Sequence, residues 1–208
     1  MGAQDGELIM KRYKGNKFLG ADIHSSLTAM SRGGKLFLRH PKWADYEAWA
    51  SLRENSREHL SPWEPSWNPD HLLRRNYKYR LSVLKKQVAN GEGFFFHVFR
   101  MPGEHLIGAV NVMRIQRSVA QSAQLGYWLG EGFSGQGHGR ASVERVCEFC
   151  FRDLGLHRLE AAVRPDNERS ISLLTGIGFR AEGTARGYLK IDGQWRDHII
   201  YARLSSDS

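Results

Sequence analysis

A glycine-rich segment, Gly130 to Arg140 (GEGFSGQGHGR), separates a strand-like run from an amphipathic helix and constrains the fold more than any other part of the chain. Glycine accepts positive φ angles and has no Cβ, so several backbone N–H groups of such a turn can converge on one anion. The positive end of the following helix dipole points to the same place. The segment predicts a phosphate- or diphosphate-binding turn; a merely flexible turn is the alternative.

The residues on both sides of this glycine loop have the periodicities of a strand and a helix. Before it, Ser122 to Leu129 alternate as a strand. After it, apolar positions recur on one helical face that ends at Gly155, and these are Gly139, Val143, Val146, Cys147, Cys150 and Leu154. A P-loop is excluded because no Gly-Lys-Ser/Thr follows, and the predicted β-meander before the loop is not the opening of a Rossmann unit.

The remaining sequence predicts one mixed α/β domain. Further strands are predicted at Lys35–Arg39, Phe94–Arg100, Glu104–Met113 and His157–Arg164. Helices are predicted over Trp43–Leu60, from an N-cap at Asp70 to Val88, and from a cap at Asp166 or Asn167 to Gly176. A terminal hairpin should turn at Asp192-Gly193, which suits a type I′ turn.

Composition limits the class of protein. With 208 residues, 41% of them hydrophobic, and no apolar run long enough for a membrane span, the chain predicts a soluble single domain without a membrane partner. Residues 1–30 predict a flexible or loosely docked arm, and residues 31–208 the domain. The two cysteines, Cys147 and Cys150, and the lack of a secretory signal favour a reducing cytoplasm.

The net charge of +8 favours an anionic partner, which leaves RNA, a ribosome, an acidic protein or a polyanionic cofactor open. Much of this charge falls in the predicted helix between Arg74 and Lys86. Such a helix can contact RNA, but a solvated charged face is the more common role.

Two ordered motifs resemble the GNAT superfamily of N-acetyltransferases. Ser134-Gly-Gln-Gly-His-Gly139 is similar to its acetyl-CoA loop, Gln/Arg-x-x-Gly-x-Gly/Ala, and departs from it at Ser134. The second motif combines Asn167, Ser170, Leu173 and the pair Gly178-Phe179. Within the superfamily, Glu58–Pro65 and Tyr188–His198 resemble the ribosomal-protein alanine N-acetyltransferases of RimJ type, and the resemblance spans Lys35 to Leu204.

This resemblance implies a splayed, mostly antiparallel central sheet flanked by helices, with acetyl-CoA as the cofactor. Pantetheine would lie between the diverging strands, and backbone groups near Leu129 would polarise the thioester carbonyl. The implied cofactor-binding residues are Trp128, Leu129, Gly130, Ser134, Gly135, Gln136, Gly137, His138, Gly139, Arg140, Asn167 and Ser170.

The catalytic groups are less clear from sequence. The Tyr that many superfamily members use as general acid is replaced by Leu174, so the resemblance points to Ser170 as the hydrogen-bond donor to the leaving thiolate; a helix-capping role is the alternative. Glu160 is a candidate base or a structural ion-pair partner. Tyr188 is a remoter acid candidate. The cysteines fall on a packing face, so direct attack is expected, and no metal is expected because no histidine pair has ligand spacing.

The acceptor must be a neutral amine. An α-amine, with a reference pKa near 7.7 to 8.0, is on the order of 10% neutral at pH 7, whereas lysine near 10.4 is not. Trp63, Trp67 and Tyr188 are the predicted acceptor-binding residues, and core packing is the alternative for the tryptophans. The sequence therefore predicts acetyl transfer to a protein N-terminus, Ala or Ser of a ribosomal protein. Acetylation of a small amine, or a non-catalytic module that binds CoA and RNA, stays open.

Overall fold

The computed structural model describes residues 26–207, which form one sheet with helices on its two faces. The strands lie in the order β1-β2-β3-β4-β5-β6-β8-β7, and every neighbouring pair is antiparallel except β5 and β6. Their bounds are β1 Ser26–Ser31, β2 Gly34–Arg39, β3 Phe94–Arg100, β4 His105–Gln116, β5 Ser122–Leu129, β6 Arg158–Val163, β7 Arg180–Ile191 and β8 Gln194–Leu204. The mixed α/β class is confirmed.

The helices connect these strands in chain order. They are α1 Tyr46–Asn55, α2 Arg57–Leu60, α3 Arg74–Ala89, α4 His138–Glu148 and α5 Glu168–Gly176, with a π-helical turn, Phe149–Asp153, continuing α4. Short 3-10 turns occupy Trp43–Asp45, Ser61–Trp63 and Glu131–Phe133. The single helix predicted over Trp43–Leu60 was wrong, because the chain is 3-10 at its start and breaks at Ser56.

The sheet splays between its only parallel pair. Strands β5 and β6 pair over Ser122–Gln124 and Arg158–Glu160 alone, after which β6 continues beside β8 as far as Val163. One edge of β5 is therefore unpaired from Leu125 to Leu129 among residues 26–207. This divergence was predicted, and it opens the notch in which the candidate site lies.

The two faces of the sheet have different cores. Side chains alternate across each strand, so Leu38 and Phe96 face α4 and its π-helical turn, where the Phe96 and Phe149 rings meet edge to face at 5.5 Å. The opposite face packs Phe99 and Leu106 against Trp49 of α1 and Tyr77 of α3, in the cluster Trp49, Tyr77, Phe99 and Leu106. Full burial of each large apolar side chain contributes about 2 to 3 kcal/mol.

Two boundaries differ from the sequence prediction. Strand β1 pairs with β2 from Ser26 to Ser31, so the predicted boundary at residue 30 falls inside the sheet; the rest of the predicted arm, residues 1–25, lies outside the described residues. Asp70 does not cap α3, because Leu73 is the N-cap and the Asp70 carboxylate pairs with Arg75.

The terminal hairpin turns as predicted, with positive φ at both Asp192 and Gly193. Within the described part of the chain, no helix has the length and apolar character required to cross a bilayer.

Candidate active site

The glycine loop forms a cradle of backbone donors. Gly135 and Gly137 have φ angles of +77° and +79°, and Gly137 is the N-cap of α4. The N–H groups of residues 135 to 137 find no acceptor among residues 26–207. At Gly139 a Cβ would lie 3.1 Å from Leu173 Cδ1 and 3.3 Å from Leu129 Cδ1, so glycine lets the helix approach. Unpaired donors at a helix N-terminus fit the diphosphate of the implied cofactor.

A cleft of about 1100 Å³ runs from this loop into the splay of the sheet. Both predicted motifs contribute to its walls, through the loop itself and through the N-terminus of α5. The predicted site residues that line it are Trp63, Trp128, Leu129, Ser134, Gly135, Gly137, His138, Gly139, Arg140, Asn167 and Ser170. The structure thus brings together segments that lie far apart in sequence.

Three of the predicted cofactor-binding and catalytic residues lie outside the lining. The Gly130 N–H donates to the Ile107 carbonyl, and the Gln136 amide Nε2 donates to the Gly132 carbonyl. The Glu160 carboxylate is paired with Arg158 Nε at 2.8 Å on β6. This ion pair fits the structural role that was the alternative for Glu160, and its role as a base stays a prediction.

Trp67 and Tyr188 also lie outside the lining. The Trp67 indole Nε1 donates to Glu64 Oε2 at 2.8 Å, and its ring stacks on His71 and against the Arg53 guanidinium. Tyr188 packs edge to face against His198 in the terminal hairpin, and its hydroxyl accepts from Gln124 Nε2 of β5 at 3.5 Å. Of the three predicted acceptor-binding residues, Trp63 is the one that lines the cleft.

A phenol that sequence reasoning missed lies at the centre of the cleft. The Tyr127 hydroxyl of β5 is 2.6 Å from Ser170 Oγ, and burial raises the pKa of Tyr127 to about 12. Tyr127 is therefore protonated at neutral pH. Asn167 Oδ1 accepts the Ser170 N–H at 3.1 Å, which shows the predicted cap and orients Ser170. No sequence signal connects Tyr127 to Ser170, since they are 43 positions apart.

A second part of the cleft wall is built by α2 and the turn that follows it, and it is called the acceptor end because Trp63, a predicted acceptor-binding residue, lies in it. His59, Leu60, Trp63 and Glu64 line this end, together with Asp166 and Glu168 at the start of α5. Arg164 Nη1 donates to the Pro62 carbonyl at 2.6 Å, and its guanidinium lies 5.0 Å from the Trp63 ring centre. These contacts fasten the turn against the β6–α5 loop.

A buried ion pair holds the same turn from inside. The Arg53 guanidinium binds both oxygens of Glu64, at 2.7 and 2.5 Å, and it lies 4.9 Å from the Trp128 ring centre. The Glu64 carbonyl also accepts the Asp192 N–H at 3.0 Å, so the β7–β8 hairpin touches the turn. The neighbouring His71 imidazole has a lowered pKa, because it is buried and lies close to Arg53. The acceptor wall therefore rests on side-chain contacts between distant segments.

Cys147 of α4 and Cys150 of its π-helical turn are poorly suited to act as nucleophiles. Cys147 and Cys150 are fully buried, and burial raises the pKa of Cys147 to about 12 and that of Cys150 well above its ordinary value. A thiolate is the reactive form, so neither side chain can form an acetyl-enzyme at neutral pH. Across residues 26–207, no group of three histidine, cysteine, aspartate or glutamate side chains has the arrangement of a metal site.

The basic helix α3 has part of its charge neutralised within the protein. Arg74 pairs with Glu47 and Arg75 pairs with Asp70. Arg80 turns inward, with its Nε buried. These contacts favour a structural role for all three arginines of the helix.

The comparisons with known proteins agree with this geometry. The acetyltransferase (GNAT) domain model matches residues 35–180. A curated relative, the ribosomal protein uS5-alanine N-acetyltransferase of Escherichia coli, is 33% identical over 165 residues, which are 78% of this chain and 85% of that protein.

Two solved structures share the fold at comparable identity. Mycobacterium smegmatis RimJ, in complex with CoA-disulfide, is 29% identical with a TM-score of 0.81, over 86% of this chain and 87% of that one. A ribosomal-protein-S5-alanine acetyltransferase from Vibrio fischeri is 32% identical with a TM-score of 0.78, over 83% of this chain and 94% of that one. The first of these carries a form of CoA, the group that the cleft fits.

Proposed function

Since the chain belongs to the GNAT acetyltransferase family and uses acetyl-CoA, we propose that it acetylates the N-terminal α-amine of a protein in the cytoplasm. Ala or Ser at the start of a ribosomal protein is the proposed acceptor. The supporting observation is the acceptor end of the cleft, where Trp63, Asp166 and Glu168 are exposed beside the half-buried Tyr127–Ser170 pair. Such an end leaves room for a polypeptide behind the reacting amine. The similarity to uS5-alanine N-acetyltransferases points to the same substrate class.

The Tyr127–Ser170 pair is placed to supply the proton that the leaving sulfur requires. Acetyl-CoA, when bound, supplies the acetyl group as a thioester. With acetyl-CoA bound, Ser170 Oγ would be the proton donor to the leaving sulfur, and the Tyr127 hydroxyl 2.6 Å away would replace the proton that Ser170 gives up. Tyr127 would then regain its proton from solvent when the products leave. The cleft-lining backbone near Leu129 is the proposed donor to the carbonyl oxygen.

The attacking amine must lose a proton, and we assign His59 as the base that takes this proton. Glu64 and Asp166 are engaged by Arg53 and Arg164. His59 and Glu168 have no ion-pair or hydrogen-bond partner within residues 26–207, and His59 is the half-buried one of the two. Because an α-amine is partly neutral at pH 7, a weak base here is sufficient.

The test is acetyl-CoA turnover, followed by release of free thiol, with short peptides that begin with Ala, Ser or Met. Each peptide is paired with an N-blocked version that contains Lys, and common small amines are assayed in parallel. We expect turnover with the Ala or Ser peptides alone. Turnover with small amines only would replace the proposal by the small-amine function. RNA binding at physiological salt, without turnover of any amine, would replace it by the non-catalytic module.

A further inference from the structure

The turn between β1 and β2 is seated on the glycine loop through three consecutive residues. Ser31 Oγ lies 2.8 Å from His138 Nδ1, and the Gly33 N–H donates to the Gln136 carbonyl at 3.0 Å. Between them, Arg32 lies against Gly137; a Cβ placed on that glycine would be 3.5 Å from Arg32 N and 3.7 Å from its Nε. The first hairpin of the sheet is therefore part of the structure that shapes the loop.

The β1–β2 turn packs most closely against the glycine loop at Gly33. A Cβ there would lie 2.4 Å from His138 Cε1 and 2.6 Å from its Nε2, so only glycine allows the approach. The His138 side chain is fully buried, and its ring faces the hairpin. Since the Ser31 hydroxyl donates to the Gly34 carbonyl, the His138 Nδ1–H donates to Ser31 Oγ, and the Nε2 that faces Gly33 carries no proton. His138 thus serves the cofactor loop by anchoring it.

Arg32 is positioned where the loop's backbone donors converge. Its side chain is exposed, lines the cleft, and has no acidic or hydrogen-bonding partner within residues 26–207. Arg140, the arginine of the loop itself, is directed elsewhere, because its Nη2 donates to the Gly176 carbonyl at the end of α5. Arg169 also lines the cleft, but it belongs to α5.

We propose that Arg32 binds the diphosphate of CoA, as a guanidinium supplied by the β1–β2 turn to the amide cradle of the glycine loop. An arginine beside a row of N–H groups pairs with phosphate oxygens through two parallel hydrogen bonds. The 3′-phosphate of CoA is the other anionic group that could meet this cation. The proposal does not depend on the acceptor, because it concerns cofactor affinity alone.

The test measures the dissociation constants of CoA and dephospho-CoA by titration calorimetry on the full chain. We expect Arg32→Ala to weaken CoA binding about tenfold at low salt, and less at high salt. Arg32→Lys should recover part of this loss. The matched control is Arg152→Ala, which removes an exposed arginine at the other end of α4 and should leave the affinity within about twofold.

Dephospho-CoA separates the two phosphate sources, since it keeps the diphosphate and lacks the 3′-phosphate. An Arg32→Ala loss of equal size with both ligands supports the proposal. A loss seen with CoA alone would overturn the assignment to the diphosphate, and an unchanged affinity, or an equal loss in the Arg152 control, would overturn the role of Arg32. Gly33→Ala should also weaken both ligands, while the melting temperature of each variant shows that it is folded.

Discussion

The cofactor side and the acceptor side of the cleft are built in different ways. The cofactor side relies on main chain: two positive-φ glycines, unpaired N–H groups and the start of α4. The acceptor side relies on side chains, because Arg53 and Arg164 hold its turn through Glu64 and the Pro62 carbonyl. A site made of backbone is encoded by a short contiguous motif. A site made of side-chain contacts is assembled only when distant segments fold together.

The largest expected effect is a loss of kcat when the proposed proton donor, which lies between the cofactor side and the acceptor side, is removed. Ser170→Ala should lower kcat about a hundredfold with an unchanged CoA dissociation constant, because it removes the proposed proton donor. Tyr127→Phe should lower kcat less, and the double variant should be no worse than Ser170→Ala alone, since Tyr127 acts through Ser170. Steady-state kinetics and CoA titration measure both. If the losses of kcat in the two single variants multiplied in the double variant, Tyr127 would not act through Ser170.

The second prediction targets the main-chain side. Gly137→Ala forces a side chain into a φ of +79°, at a cost of about 1 to 2 kcal/mol, and should weaken CoA binding about tenfold. The acceptor KM should stay constant. Gly132→Ala is the matched control, because it lies in the same loop with open space around it and no positive φ. A loss of affinity in both variants would show that any change in the loop matters, and not its backbone conformation.

The third prediction targets the side-chain side. Glu64→Gln leaves the buried Arg53 without its carboxylate, so we expect a lower melting temperature and an acceptor KM raised about fivefold, with CoA affinity unchanged. Glu54→Gln removes a carboxylate from the exposed pair with Arg57 and should change neither quantity. If CoA affinity fell along with the acceptor KM in Glu64→Gln, the two sides would not be independent.

The smallest effect is on pH-dependent stability. Burial lowers the pKa of His40 from 6.5 to about 4, and it also lowers the pKa of the neighbouring His97. The folded state disfavours the protonated rings, so this stability is complete above pH 6.5 and is lost as the pH falls towards 4. Asp45, Arg80 and Arg39 are the charged groups that act on His97, and Asp45 also acts on His40.

Melting temperatures measured from pH 8 to pH 4.5 should fall on the acid side. The melting temperature of His40→Asn should fall less steeply than that of the parent chain. Hydrogen exchange at the acid end should show faster opening around His40 and α1 than around α4. If the melting temperatures of His40→Asn and the parent chain fell equally at acid pH, His40 would not contribute to the pH dependence of stability.

The same contrast explains what the sequence could reveal. The glycine loop and the Asn167 cap follow from local chemistry, because glycine spacing and capping act within a few residues. The splayed sheet was expected from the resemblance to the GNAT superfamily and not from any local pattern. The Tyr127–Ser170 and Arg53–Glu64 pairs do not, because each joins two elements whose approach depends on the whole sheet. The failed cap at Asp70 has a local cause, because Arg75, five positions along the chain, captures the carboxylate.

The unpaired edge of β5 has a consequence for handling the protein. From Leu125 to Leu129 it presents backbone groups of the kind by which sheets recruit foreign strands and aggregate. If pantetheine lies along β5, as the resemblance to the GNAT superfamily implies, bound CoA would cover this edge, which is open in the CoA-free protein. Purification and storage with CoA should therefore suppress self-association beyond the gain in folding stability alone.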